Sequence, residues 1–310
     1  PILSRTHSTF QLTLVLVGLC FFGSMFITND VSLLTFVPFT FVVLSRLGAD
    51  VRRTLLIPVV CMQTIAANLG SMLTPIGNPQ NLYLYGKSGM SIDGFVLLML
   101  PYTLVSLLLL LAWAALVCRK ASAALSVDEL VSSSASQGDQ KIILLYLVLF
   151  AVCLLSVIRV LPYGIAFAAV LVCAIFADPH TLRAVDYSLL LTFVAFFIFI
   201  GNLGRIPAFS GWLQEFLTGR EVLVAVLASQ VTSNVPAALL LSGFTAETQA
   251  LIIGTNLGGL GTLIASMASL ISYRQIAREL PQGKKQYFGL FTLSNLIFLA
   301  ILLGVWFLLR

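Results

Sequence analysis

Long apolar runs broken by short polar marks make up this chain, and the marks recur. Apolar segments occupy roughly residues 12–27, 31–45, 54–67, 94–118, 142–158, 160–177, 188–203, 222–232, 237–243, 248–273 and 287–309. A helix needs about 20 residues, rising about 1.5 Å each, to cross about 30 Å of hydrocarbon. Segments 94–118 and 287–309 meet that length, and 142–158, 160–177 and 188–203 read as short crossings. Segments 12–27 and 31–45 are each too short, yet joined they are too long for one straight span. Both flank the polar triplet in "FITNDVSLL", residues 26–34. The pattern predicts a re-entrant hairpin over 12–45 that turns at residues 28–30. Irregular backbone of this kind survives at membrane depth only where protein or water covers it.

The hydrophilic stretch 119–141, read as a cytoplasmic linker, divides the chain into halves that resemble one another. "NLGSMLTPIGNPQNLYLY" at 68–85 aligns without gaps on "NLGGLGTLIASMASLISY" at 256–273, and "TNDVSLL" at 28–34 matches "SNVPAAL" at 233–239. The first repeat, 1–118, reads as hairpin 12–45, broken helix 54–86 and span 94–118. The second, 142–310, reads as spans 142–158, 160–177 and 188–203, hairpin 222–243, broken helix 248–273 and span 287–309. It also carries an amphipathic stretch, "RIPAFSGWLQEF". Only 28 residues precede Asn29, without those crossings. The pattern therefore predicts that the first repeat lacks an N-terminal segment of about 60 residues, roughly three short spans. The second repeat has an odd number of crossings, so consecutive repeats insert upside down. The expected fold is an all-α polytopic membrane protein of two inverted-topology repeats with re-entrant hairpins and broken transmembrane helices.

Composition agrees. Hydrophobic residues make up 59% of the chain and charged ones 9%, with a mean hydropathy of +1.03, against about 25% charged in a soluble domain. Lipid is the main solvent, and a multi-pass position in the cell (plasma or inner) membrane follows. The net charge of +5 reports orientation rather than a nucleic-acid partner. If the first hairpin opens to the cytoplasm, twelve of the seventeen Lys and Arg lie inside, among them Arg46, Arg52, Arg53, Arg274, Arg278, Lys284 and Lys285. The five cysteines sit unpaired in apolar runs and read as small core residues. His7 and His180 form no metal motif. With no Gly-x-Ser-x-Gly and no His-Glu-x-x-His, an enzyme is not expected. A passive channel would line one helix face with polar residues rather than pair two hairpin tips.

Each half thus offers two irregular pieces: a tip, Thr28-Asn29-Asp30 or Ser233-Asn234-Val235-Pro236, and a Gly- and Asn-rich interruption, 68–81 or 256–269. Unwound carbonyls ligate cations, and half-helix N-termini present positive dipole ends to anions. Asn supplies both an acceptor and donors. Two such clamps predict an alternating-access secondary transporter.

The same stretches resemble the ion transporter superfamily: divalent-anion/sodium symporters, citrate carriers, arsenite permeases and NhaD-type sodium/proton antiporters. The resemblance implies a permease of an anionic solute, such as an organic carboxylate or oxyanion, coupled to H⁺ or Na⁺. Na⁺/H⁺ antiport or arsenite efflux is the alternative. It implies no cofactor beyond the coupling ion, and a homodimer in the bilayer. It further implies one cation site at Ser24, Thr28, Asn29 and Gly77, and a second at Ser229, Ser233, Asn234 and Ala265. Substrate would touch Asn29, Asn78, Pro79, Asn234, Ser266 and Met267, and the third tip positions, Asp30 and Val235. Sodium-coupled dicarboxylate members carry Ser-Asn-Thr at both tips, whereas Asp30 is nearer the arsenite and antiporter branches. A carboxylate central in a membrane costs at least about 2.5–3.5 kcal/mol on insertion scales, and desolvation favours its protonated form. Asp30 is therefore the candidate proton-coupling group. Its alternative role is an N-cap of the second arm, bonding the amides of residues 32 and 33.

Overall fold

The computed structural model describes residues 8–119, 140–185 and 187–310. Every assigned element among them is helical: α1 (Thr9–Ile27), α2 (Asn29–Ser45), α3 (Ala49–Ser71), α4 (Pro79–Ser88), α5 (Ile92–Arg119), α6 (Gln140–Val157), α7 (Tyr163–Ala177), α8 (Pro179–Ala184), α9 (Tyr187–Leu203), α10 (Pro207–Leu217), α11 (Glu221–Thr232), α12 (Asn234–Leu241), α13 (Thr248–Gly258), α14 (Met267–Glu279) and α15 (Lys284–Leu309), with a 3-10 turn at Pro281–Gly283. Among the described residues, Thr9–Ile27, Ala49–Ser71, Ile92–Arg119 and Pro281–Leu309 are long and apolar enough to cross a membrane. Large apolar side chains such as Phe22, Phe26, Leu97, Leu108 and Phe307 face outward, as a lipid-solvated surface requires. The protein is an all-α polytopic membrane protein.

The described residues fall into two compact units, one reaching to Arg119 and resuming at Ile200, the other lying between Gln140 and Phe199. In the larger unit the core runs along α3. Leu55, Val59, Val60, Met62, Ile65 and Leu69 are fully buried there, with α1, α2, α5 and α15 packed around them. The order of helical hairpin, interrupted helix and long helix occurs twice, as α1/α2, α3/α4, α5 and as α11/α12, α13/α14, α15. The half-helix after each interruption packs on the other hairpin or its neighbour: α4 on α12 and α13, α14 on α2 and α3. Side chains fasten these crossings. Tyr83 Oη lies 3.0 Å from Ser242 Oγ, Lys87 Nζ donates to the Ser242 carbonyl, and Gln275 Nε2 donates to the Leu33 carbonyl at 3.4 Å. Lys87 sits in the last turn of α4 and holds the C-terminal end of α12, where a cation is favoured.

Several boundaries differ from the apolar pattern for local reasons. α1 starts three residues early because Ser8 Oγ accepts from Gln11 N at 3.2 Å and caps it. α14 runs six residues past Tyr273 and carries Arg274 and Arg278 on the helix itself. α10 buries Leu213 and Leu217 and leaves Trp212 exposed, stacked on Phe216 at 5.6 Å. That is the form of an interfacial amphipathic helix.

In the smaller unit α7 begins at Tyr163 rather than residue 160, after Pro162 and a turn in which Arg159 takes φ 63°. The short α8 was not expected. Asp178 caps it by accepting from Thr181 N at 3.4 Å, and Tyr146 Oη donates to Asp178 Oδ2 at 2.7 Å. Cys20, Cys61 and Cys118 are buried as expected, but Cys153 is exposed and Cys173 half-exposed on helices whose apolar faces point outward. His7 and linker residues 120–139 lie outside the described residues.

Candidate functional site

Both hairpin tips adopt the same unusual backbone. Thr28 has φ 69° and ψ 156°, Ser233 φ 75° and ψ 154°. That region is essentially reserved for glycine and costs other residues about 1–3 kcal/mol. The strain is held by matching bonds: Asn29 N donates to the Gly77 carbonyl at 3.1 Å, and Asn234 N to the Ala265 carbonyl at 2.9 Å. Each tip therefore closes on the interruption of its own half. A second pair of bonds repeats the pattern one turn away. Thr74 Oγ1 donates to the Met25 carbonyl at 2.5 Å, and Thr262 Oγ1 to the Gln230 carbonyl at 3.1 Å. Thr28→Gly is expected to keep or raise the melting temperature in detergent, since glycine removes the tip strain. A drop of several degrees would show that the threonine side chain holds the tip.

The resemblance implies Thr28, Asn29 and Gly77 at one locus and Ser233, Asn234 and Ala265 at the other, and the bonds above bring each set together. Ser24 and Ser229 lie one turn before the tips. They are fully buried, donate to the Phe21 and Ala225 carbonyls at 2.9 and 2.7 Å, and face the glycines Gly70 and Gly258. Asn78 and Ser266 occupy equivalent positions, each just ahead of the half-helix that follows the break. Asn78 Oδ1 caps α4 by accepting from Asn81 N at 2.9 Å.

The two halves are tied together by two residues of the paired motifs, Asn68 and Asn256, that are not among the site residues expected from the sequence. Asn68, near the end of α3, accepts on Oδ1 from Asn29 Nδ2 at 3.1 Å and from Ser266 Oγ at 2.9 Å. Its repeat counterpart Asn256 accepts on Oδ1 from Asn78 Nδ2 at 3.1 Å and donates to Asn81 Oδ1 at 2.6 Å. Each helix before a break thus holds the cap residue after the break of the other half. The signal was present in the sequence, because Asn is identical at 68 and 256 in the ungapped alignment. Asn81 also donates to carbonyls of the first interruption at 3.3 to 3.5 Å. In the second half Gln230 does this work: its Nε2 donates to the Gly258 and Leu260 carbonyls at 3.0 and 2.9 Å, and its Oε1 accepts from Thr262 N at 2.9 Å.

Other placements differ from expectation. Met267 is 44% exposed and Pro79 is exposed as well; both are first residues of a half-helix, pointing away from the buried caps before them. Val235 is half-buried and brings no polar atom to the second tip. Asp30 is not the N-cap of α2. Thr28 holds that position, Asp30 lies in the first turn, and its own amide donates to Asn29 Oδ1 at 2.9 Å. Among the described residues Asp30 Oδ1, Asn68 Nδ2 and both amide atoms of Gln80 are buried without a hydrogen-bond partner. A buried polar atom left so costs about 1–3 kcal/mol. Four helix N-termini, those of α2, α4, α12 and α14, meet through this network, so positive dipole ends, amide groups and one carboxylate share one buried region.

A family model described as a citrate transporter matches residues 1–251. The chain is 34% identical over 259 residues to the inner membrane protein YbiR of Escherichia coli, covering 81% of this chain and 66% of that protein. Over 264 residues it is 31% identical to an uncharacterized transporter of Methanocaldococcus jannaschii, covering 85% and 70%. A 46 kDa membrane protein of Mycobacterium leprae is 24% identical over 307 residues, covering 86% and 70%. The chain spans about two thirds of the length of these curated relatives.

Proposed function

The chain belongs to the citrate transporter family, and from that premise we propose that it is a secondary active permease of an anionic solute, such as an organic carboxylate, driven by H⁺ or Na⁺. The observation that carries this reading is the crossed network. Two strained tips close on two interruptions, and Asn68 and Asn256 tie each clamp to the opposite half. An anion between the clamps would meet four helix N-termini, the amides of Asn29, Asn78 and Asn234, and Gln80. A coupling cation would meet tip oxygens of Thr28, Asn29, Ser233 and Asn234 beside the carbonyls of residues 77 and 265. Because those carbonyls already bind the tip amides, filling a cation site and tightening a tip are one event. Binding on one side is then felt on the other through Asn68 and Asn256, as alternating access requires.

Asp30 is the proposed coupling group. Ionised, it would repel the solute; neutralised by a proton or Na⁺, it would not. Asp30→Asn is expected to leave solute binding and abolish the dependence of uptake on the imposed ion gradient. Uptake by that variant that still follows the gradient fully would remove Asp30 from the mechanism. The same carboxylate favours a second reading, Na⁺/H⁺ antiport or arsenite efflux. Proteoliposomes given an inward Na⁺ or pH gradient and offered dicarboxylates, citrate, arsenite or ²²Na⁺ separate the two. Uphill accumulation of a carboxylate supports the first reading, and Na⁺ or arsenite flux without it supports the second.

A further inference from the structure

A cleft of about 550 Å³ lies away from the tip network, between the open end of the first hairpin, the first turns of α3 and the 3-10 turn ahead of α15. Its wall carries Arg52, Arg53, Gln282 and Gln286, and its floor includes Leu56 and Ile57. Arg52 is half-buried and Arg53 exposed. Among the described residues the one ion pair is Arg278–Glu279, so no acidic side chain among them pairs with either cleft arginine. Asp50, in the first turn of α3, is not part of the lining. Lys284 and Lys285 follow directly on the turn that closes the cleft and add to its positive field.

The cleft is amphipathic in a specific order. The arginines precede the buried part of α3, which begins at Leu55, so the cationic wall stands at the level where the helix leaves the apolar core. Arginine presents a planar fork that matches phosphate oxygens bidentately. The glutamine amides add neutral donors. A soluble anion needs the cationic wall but not an apolar floor, whereas a phospholipid needs both. By the distribution of Lys and Arg this end of the helices faces the cytoplasm, where the leaflet is anionic and basic pockets between helices hold lipid headgroups.

We propose that this cleft binds a phosphate group, carried by an anionic phospholipid of the cytoplasmic leaflet and held by Arg52 and Arg53. The test is native mass spectrometry of the purified chain titrated with phosphatidylglycerol, cardiolipin or phosphatidylcholine, with glycerol 3-phosphate and inorganic phosphate as lipid-free arms. Anionic lipid is expected to stay bound in preference to phosphatidylcholine, with about tenfold weaker retention in R52Q/R53Q. R52K/R53K, which keeps the charge but not the fork, should fall between. K284Q/K285Q, which removes charge beside the cleft but no lining residue, should weaken retention less than R52Q/R53Q does. Melting temperatures establish that each variant is folded. Equal retention by R52Q/R53Q, or an equal loss in K284Q/K285Q, would overturn the site. Tight capture of inorganic phosphate by these arginines, with no preference between anionic and zwitterionic lipid, would overturn the lipid as its carrier.

Discussion

Asn68→Ala is expected to lower the initial rate of transport between about ten- and 100-fold while leaving a folded, extractable protein. The side chain is 5% exposed, and its single oxygen serves two donors from different halves of the chain, Asn29 Nδ2 and Ser266 Oγ. Removing it strands both donors in a buried site, at about 1–3 kcal/mol for each orphaned group. The loss falls on the tip and on the opposite cap together, so it should appear as coupling and not as two independent effects. A double-mutant cycle with Ser266→Ala measures that directly. If the hydroxyl and the amide act as one unit, the double variant is little worse than Asn68→Ala alone. Strict additivity in initial rates, at matched amounts of reconstituted protein, would mean that Asn68 supports only its own tip. Asn256→Ala, which takes one partner from Asn78 Nδ2 and one from Asn81 Oδ1, is expected to behave similarly, because the two asparagines hold equivalent places in the repeat.

These two asparagines also show where sequence reading stopped. The tips were legible because polar residues in an apolar run are costly and conspicuous, and Asn29 and Asn234 bond the loop positions expected for them. The interruptions were legible because glycine, proline and asparagine cluster there twice. Asn68 and Asn256 sit inside helices, where a single polar residue signals nothing about direction. Their partners lie 198 and 178 residues away, and no local rule states which half a buried amide will face. The same limit explains Gln230. It stands where the first half has Met25, so a comparison of the repeats shows a mismatch rather than a motif, yet its side chain binds most of the second interruption. Asp30 was legible as an anomaly but not as to its surroundings. A cap was a reasonable expectation for an Asp at a helix start, and Asn29 takes the amide that Asp30 itself presents. Pro79 and Met267 were read from their place in the motif, but the first residue of a half-helix points away from the cap before it.

The second large effect concerns close packing rather than polarity. Gly70 and Gly258 are identical positions of the repeat, and each lets a hairpin arm touch the helix before the break. A Cβ at Gly70 would overlap the Phe21 carbonyl oxygen and stand 2.7 Å from Ser24 Oγ. A Cβ at Gly258 would meet Ser229 Oγ at 2.6 Å, Ser229 Cβ at 2.8 Å and Val226 Cα at 3.0 Å. Overpacking a tight contact costs about 1–3 kcal/mol and more where nothing yields. At Gly70 the main obstacle is backbone within α1, which moves only if the whole arm moves. At Gly258 two of the three nearest atoms belong to the Ser229 side chain. Gly70→Ala is therefore expected to cut the yield of folded protein severely, with no rescue by Ser24→Ala. Gly258→Ala is expected to be partly rescued by Ser229→Gly, which clears both side-chain atoms. Thermal unfolding of detergent-solubilised variants, followed by size-exclusion profile, reads both. Equal tolerance of alanine at the two sites, or rescue of Gly70→Ala by Ser24→Ala, would contradict the backbone contact.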